Sequence, residues 1–126
     1  MSKFMTGNFL LLSSMVLGAG SQVLIKSLMN KYQGSLLNIA DIKAFIDIPN
    51  IMGVAISAMM LVLGFIFWIF ALAKLDLSYA YPIACTSVIF VALFGSIFLG
   101  ELITLRMSLG TVLILVGIIL LMPTEA

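Results

Sequence analysis

The sequence predicts an all-α polytopic membrane protein, with four transmembrane helices in a single domain that covers the 126 residues. Hydrophobic residues make up 63% of the chain and charged residues 9%, whereas soluble domains carry about 45–50% and about 25%. The charges leave four uncharged stretches, at 4–25, 48–73, 77–100 and 107–124. About 20 helical residues cross the hydrocarbon core of a bilayer, and backbone amides there must pair within their own segment.

The first predicted helix runs from about 4 to 29. Its start, a lysine followed by an apolar run and small residues, also resembles a cleavable signal peptide. The apolar pattern continues through Val23, Leu24 and Ile25, so we expect a retained first helix.

One face of this helix carries polar residues. Gly18, Ser21, Gln22 and Lys26 recur at three- and four-residue spacing and therefore share a face. This face would suit a substrate with an anionic head group. The alternative is structural: Gly18 and Ser21 would permit close helix packing, Gln22 would hydrogen-bond across helices, and Lys26 would extend to the interface.

The segment that follows is the longest soluble piece. Residues 36–48 are too apolar for a free loop, and a short interfacial helix is the expectation here. The second predicted helix, about 51–73, starts after Pro49, which suits a first helical turn. It is otherwise nearly featureless, with Ser57 as its one hydroxyl and Trp68 as its one amphipathic aromatic residue.

Two further helices are predicted, at about 79–99 and about 106–122, and the short links make them antiparallel neighbours. Gly110 and Gly117 are seven residues apart, on nearly one face, and predict a helix–helix or dimer contact. Glu101 and Arg106 flank the last link, where we expect an ion pair. The alternative is that Arg106 binds a phosphate.

Composition excludes several classes of function. The chain has no histidine and a single cysteine, Cys85, so disulfides, Cys/His metal sites and His-dependent catalysis are not expected. A net charge of +1 without a basic cluster argues against nucleic acid as a partner. We predict no catalytic residues, no metal and no cofactor.

The positions of the acidic residues bear on mechanism. All five lie at helix ends or in loops, and none lies in the middle of a span. Proton-coupled transporters use intramembrane carboxylates, whose pKa burial can raise, so this group is missing here. The side with the first and third loops carries four basic residues and the other side carries two. By the positive-inside rule, these two loops are expected in the cytoplasm. That margin is small, and dual insertion stays open.

Several motifs occur in a characteristic order: 18–22 followed by Lys26, then 77–82, then 100–104, then Gly110 with Gly117. In these motifs the chain resembles four-helix members of the drug/metabolite transporter superfamily. It is similar to small multidrug resistance proteins, and more so to the flippase subunits for aminoarabinose-linked undecaprenyl phosphate. Where small multidrug resistance proteins carry a glutamate in the first helix, this chain has Gly18, and Ala84 stands in place of their tryptophan.

The resemblance implies a small transporter of the bacterial inner membrane, working as a homodimer or with a paralogue. Its expected substrate is a lipid-linked or amphipathic molecule, first of all a polyprenyl-phosphate sugar. The expected pathway residues are as follows: Gly18, Ser21, Gln22, Tyr81, Thr86 and Ser87, with Lys26 or Arg106 for the phosphate. Two alternatives stay open, a small multidrug resistance-type exporter and a non-transporting scaffold subunit.

Overall fold

The computed structural model describes residues 2–31, 43 and 46–122, and the described residues form helices without any strand. The helices are α1 (Lys3–Asn30), α2 (Ile48–Leu72), α3 (Leu77–Cys85), α4 (Ser87–Leu99) and α5 (Leu105–Leu121). The predicted all-α class is confirmed. The interfacial helix expected over 36–48 falls largely on residues outside the described part.

Three spans have the length and apolar character to cross a membrane: α1, α2 and the continuous segment Leu77–Leu99. The fourth apolar helix, α5, has 17 residues, which corresponds to about 25 Å of rise. The predicted helix bounds agree with the observed ones to within three residues. The largest difference is at α2, which begins at Ile48 because Asp47 is its N-cap and a proline occupies its first turn.

The third span was predicted as one helix, and the structure interrupts it at Thr86. Pro82 lies inside α3 and has no N–H to donate to the preceding turn. At the interruption, the Thr86 N–H donates to the carbonyl of Ile83 at 2.9 Å, a tighter turn than the α-helix makes. The Thr86 hydroxyl donates to the same carbonyl oxygen at 2.6 Å.

The helix ends follow from local capping. The Thr104 hydroxyl accepts the N–H of Met107 at 3.3 Å and starts α5. Gly100 ends α4 in the left-handed region, with φ 66°, which a residue without a Cβ adopts at little cost. The N–H groups of Gly100 and Glu101 both donate to the Gly95 carbonyl, that of Glu101 at 3.3 Å.

The chain packs around α1. This helix contacts α2 along much of its length and also contacts α4, whereas α5 packs mainly against α3. A buried cluster joins α1, the end of α2 and the start of α3, and its members are Leu11, Met15, Ala71, Leu75 and Ala80. Many large apolar side chains outside it are exposed, up to 87% for Leu102. This distribution fits an integral multi-pass membrane protein, whose outer surface meets lipid or another subunit.

The face of α2 that meets α1 is made of small residues, although the sequence suggested a helix with few features. Ser57, Gly64 and Ala71 recur every seven residues and are buried, and Gly53 lies one turn before them. A Cβ at Gly64 would stand 3.2 Å from the backbone oxygen of Ser14. The two backbones therefore approach closely, as small residues allow in membranes.

Candidate functional site

A groove of about 520 Å³ lies between α1, α2 and the α3–α4 span, beside the middle of α1. We call it the central groove. It is lined by Ser14, Met15, Gly18, Ala19, Gln22, Leu61, Val62, Gly64, Phe65, Trp68, Ala84, Ser87 and Val91. A largely apolar wall with a few polar groups is typical of small-molecule sites.

The polar groups of the central groove come from both sides. Gln22 contributes its side-chain amide from α1, and Ser87 contributes a hydroxyl from the first turn of α4. A Cβ at Gly18 would meet no atom within 4 Å, so the space beside Gly18 belongs to the groove. Ser14 is already satisfied, because its hydroxyl donates to the Leu11 carbonyl at 2.9 Å.

Two aromatic rings, those of Trp68 and Tyr81, lie at one side of the central groove. Trp68 lines it, and the Tyr81 ring meets Trp68 edge to face with centroids 5.4 Å apart. Tyr81 itself lies just outside the lining and is 56% exposed. Both residues combine an apolar face with a polar group.

A second cavity of about 310 Å³ adjoins the first and contains opposite charges. We call it the charged pocket. It is lined by Gln22, Val23, Lys26, Val91, Gly95, Leu99 and Glu101. Gln22 and Val91 line both cavities, so the two lie next to each other. The charged pocket lies where α1 and α4 end, toward one membrane surface.

The carboxylate of Glu101 reaches this pocket by folding back over α4. A Cβ at Gly95 would stand 3.0 Å from Glu101 Oε2, so the space that Gly95 leaves open is where the carboxylate lies. Among residues 2–31, 43 and 46–122 the structure records no ion pair, and the expected pair between Glu101 and Arg106 is therefore not formed. Arg106 is exposed in the first turn of α5 instead.

The structure brings some of the predicted pathway residues together and separates others. Gly18, Gln22 and Ser87 line the central groove, and Lys26 joins them through the charged pocket. Ser21 is fully buried, and its hydroxyl donates to the Gly18 carbonyl at 2.8 Å. Thr86 lies at the break in the third span and bonds its own backbone.

The glycines of α5 face open space. A Cβ added at Gly110 or at Gly117 would meet no atom within 4 Å. The described chain therefore offers no packing neighbour at either position. Their predicted role in a helix or dimer contact stays a prediction.

Sequence reasoning did not identify two contributors to the site. Gly64 lines the central groove, and its seven-residue spacing from Ser57 and Ala71 was the available signal. The proximity of Glu101 to Lys26 had no signal in the sequence, because it depends on how α1 and α4 pack. Within the described ranges, no group of three His, Cys, Asp or Glu residues could hold a metal ion.

A third cavity, of about 550 Å³, is almost wholly apolar and is called here the apolar groove. It is lined by Val16, Leu17, Gly20, Val23, Leu24, Ser27, Met60, Phe94 and Phe98. Val23 also lines the charged pocket, so the two cavities lie next to each other.

Comparison with known proteins identifies relatives of the chain. Residues 32–122 match the model of the EamA-like transporter family. A protein of Yersinia pestis (strain Pestoides F), named "Probable 4-amino-4-deoxy-L-arabinose-phosphoundecaprenol flippase subunit ArnE", is 40% identical over 67 residues, which are 53% of this chain and 59% of that protein. A protein of Enterobacter sp. (strain 638) with the same name is 39% identical over 67 residues, 63% of its length. The match thus spans less than two thirds of these relatives, and no solved structure matches the chain.

Proposed function

This chain belongs to the EamA-like transporter family, and from that premise we propose that it is a subunit of a flippase for a polyprenyl-phosphate-linked sugar. Its family is one of transporters rather than enzymes. The curated relatives are named as subunits of a flippase for an arabinose derivative on phosphoundecaprenol. The observation that carries the proposal is that Gln22 lines both the central groove and the adjacent pocket that contains Lys26.

The central groove suits the sugar. Gln22 and Ser87 offer hydrogen-bonding groups for hydroxyls, and the aromatic edge formed by Trp68 and Tyr81 offers apolar ring faces. Sugars present both kinds of surface. The groove is too apolar to hold a charged phosphate without a cation, and the adjoining Lys26 supplies one.

The phosphate is therefore assigned to Lys26 rather than Arg106. Lys26 shares a cavity with Gln22, whereas Arg106 lines none of the three cavities described above. A lysine ammonium forms charge-assisted hydrogen bonds with phosphate oxygens. The polyprenyl tail follows the apolar groove, which meets the charged pocket at Val23.

A second subunit completes the transporter. The surface of α5 is almost wholly exposed, and Gly110 and Gly117 leave open space on it. Small residues let a partner helix approach closely in lipid. We place another copy of the chain, or a paralogue, on this surface.

An exporter of cationic drugs fits the site less well. No aspartate or glutamate lines the central groove, so a cation there would lack the carboxylate that usually binds it and couples transport to protons. A non-transporting scaffold would not need a polar path between the helices.

The test is translocation of undecaprenyl phosphate carrying 4-amino-4-deoxy-L-arabinose in proteoliposomes, with any subunit that copurifies. We expect Gln22→Ala combined with Lys26→Ala to slow translocation at least about tenfold, which is about 1.4 kcal/mol. Ser21→Ala is the matched control on the same helix, because that hydroxyl is buried and bonded to its own backbone. A wild-type rate in the double variant would refute the proposal.

Lys26→Gln and Arg106→Gln form a second matched pair. Loss of translocation in the first and a near wild-type rate in the second would support the assignment of the phosphate. The opposite result would assign phosphate binding to Arg106 on α5.

A further inference from the structure

We propose that the charged pocket contains a gate that the phosphate of the substrate opens. In the closed state the Lys26 ammonium pairs with the Glu101 carboxylate, and a phosphate that binds Lys26 breaks this ion pair. The structure shows the open arrangement, in which both side chains line the pocket and no ion pair joins the described residues. This inference rests on the function proposed above and adds a regulation of the same site.

The first argument is that the two charges are opposite and available. Lys26 and Glu101 line one cavity of about 310 Å³. In the part of the chain that the structure describes, neither side chain has a hydrogen bond or an ion pair elsewhere. Arg106, the expected partner of Glu101, lines none of the three cavities. Opposite charges beside a lipid-filled region attract each other more strongly than in water, so contact between these two groups is favourable.

The second argument is that the backbone fixes the carboxylate. Gly100 turns the chain at φ 66°, and the N–H groups of Gly100 and Glu101 both donate to the Gly95 carbonyl. Gly95 is buried, and a Cβ there would stand 3.0 Å from Glu101 Oε2. The turn and the missing side chain at Gly95 therefore hold the carboxylate against α4. Glu101 is the fixed half of the gate.

The third argument is that the Lys26 side chain can move while its helix stays in place. Its backbone belongs to α1, where Val23 and Leu28, on either side of it in sequence, are buried. The Lys26 side chain itself is exposed, and its four-carbon stem is flexible. Rotation about the bonds of that stem moves the ammonium across the pocket toward Glu101. Lys26 is the mobile half of the gate.

The fourth argument is that the carboxylate and the phosphate compete for one cation. An exposed ion pair is weak, whereas a phosphate forms several charge-assisted hydrogen bonds with an ammonium, so the phosphate displaces Glu101. The charged pocket lies toward one membrane surface, and Gln22 lines both this pocket and the central groove. Closure of the gate would therefore separate that surface from the central groove until a phosphate binds.

The first experiment detects the closed state chemically. A carbodiimide joins an amine to a carboxylate, with loss of water, when the two groups are in contact. The purified protein in detergent is treated with this reagent, and chains that are not linked to another chain are mapped by peptide mass spectrometry. We expect an amide between Lys26 and Glu101, and undecaprenyl phosphate should lower its yield at least about fivefold. Undecaprenol, which lacks the phosphate, should leave the yield unchanged.

Asp76 provides the internal control for the reagent. It is exposed at the other end of the α3–α4 span, so coupling of added glycinamide to Asp76 shows that carboxylates are being activated. Modified Asp76 without an amide between Lys26 and Glu101 would overturn the gate. An amide yield that does not change when undecaprenyl phosphate is bound would overturn its opening by phosphate.

The second experiment separates a gate from simple repulsion between Glu101 and the phosphate. Binding of undecaprenyl phosphate is measured by native mass spectrometry. Glu101→Gln removes the group that competes for Lys26 and should strengthen binding at least about threefold, whereas Lys26→Gln should weaken it. The double variant should bind like Lys26→Gln alone, because Glu101 acts only through Lys26. Equal strengthening by Glu101→Gln in both backgrounds would show mere repulsion and overturn the gate.

The outcomes also distinguish this inference from the proposed function. Binding of undecaprenyl phosphate that is equally strong in the wild-type protein and in Glu101→Gln would overturn the gate and leave the flippase proposal standing. If neither undecaprenyl phosphate nor the same lipid carrying 4-amino-4-deoxy-L-arabinose bound to the wild-type protein, both proposals would be overturned.

Discussion

The α1–α2 contact and the surface of α5 use the same small residue, glycine, in opposite ways. A Cβ at Gly53 would stand 2.8 Å from Leu28 Cδ1, and one at Gly64 would stand 3.2 Å from the Ser14 oxygen. A Cβ at Gly110 or at Gly117 would meet no atom of the described residues outside its own helix turn within 4 Å. The first two glycines are used within the chain. The latter two leave space that no described residue of this chain fills.

Polar side chains show the same contrast. The hydroxyls of Ser108 and Thr111 on α5 donate to carbonyls of their own helix, at 3.3 and 2.9 Å. On α1, Gln22 and Lys26 instead line cavities. Hydroxyls on α1 also bond their own helix, as at Ser14 and Ser21, so the two regions differ in Gln22 and Lys26, which line cavities, whereas no residue of α5 lines any of the three cavities described above.

The largest expected effect is at Gly64. Gly64→Leu would force side-chain atoms against the α1 backbone, and overpacking of this kind costs about 1–3 kcal/mol or more. Gly117→Leu is the matched control and should leave the unfolding of the isolated chain unchanged. Equilibrium unfolding in mixed detergent micelles, followed by circular dichroism, measures both. Equal destabilisation by the two substitutions would contradict the contrast drawn here.

A carboxylate placed in the central groove should be the next largest effect. Gly18→Glu has room for its Cβ, so we expect a folded protein. The added charge should repel the phosphate and lower translocation of the lipid-linked sugar at least about tenfold, about 1.4 kcal/mol. Gly18→Gln, similar in size and uncharged, should retain more activity. A wild-type translocation rate in Gly18→Glu would show that the substrate does not pass through the central groove.

Association should respond to the glycines of α5. Gly110→Leu combined with Gly117→Leu should lower the fraction of assembled protein several-fold, because the added side chains would keep the partner helix away. Resonance energy transfer between labelled chains in liposomes is the measurement. If assembly persists unchanged, the partner does not sit on these glycines.

The smallest expected effect concerns two tyrosines. The Tyr79 hydroxyl donates to Asn8 Oδ1 at 3.3 Å, and hydrogen bonds between membrane helices average about 0.6 kcal/mol. Tyr79→Phe should therefore lower the unfolding free energy by about this amount in the same micelle assay. For Tyr81→Phe, whose ring is more than half exposed, we expect no measurable change. A larger loss for Tyr81→Phe would show that its hydroxyl, rather than its ring, is important.

Much of the fold was predictable from the positions of the charges. Lysines and acids mark the ends of α1, α2 and the α3–α4 span, because a charge inside lipid is costly. The break at Thr86 was not predicted, since a proline near a helix start is compatible with an unbroken helix. The small-residue face of α2 was encoded in the spacing of Ser57, Gly64 and Ala71, and that signal was not used.

The candidate site was predictable in part, and the limit has a physical cause. Three- and four-residue spacing placed Ser21 and Gln22 on one face of a helix, but a face covers a wide arc. The packing of the helices determines which residues of that face reach a cavity. Ser21 is buried, whereas Gln22 lines the central groove.

By itself the sequence determined that this protein is helical, lies in a membrane and has no acid in the middle of a span. These properties depend on composition and on helical periodicity, which are local. Only the tertiary structure decided that Glu101 turns away from Arg106 and shares a pocket with Lys26. That outcome depends on how α4 packs against α1 and on the turn at Gly100, and such contacts between distant segments leave no periodic pattern in the sequence.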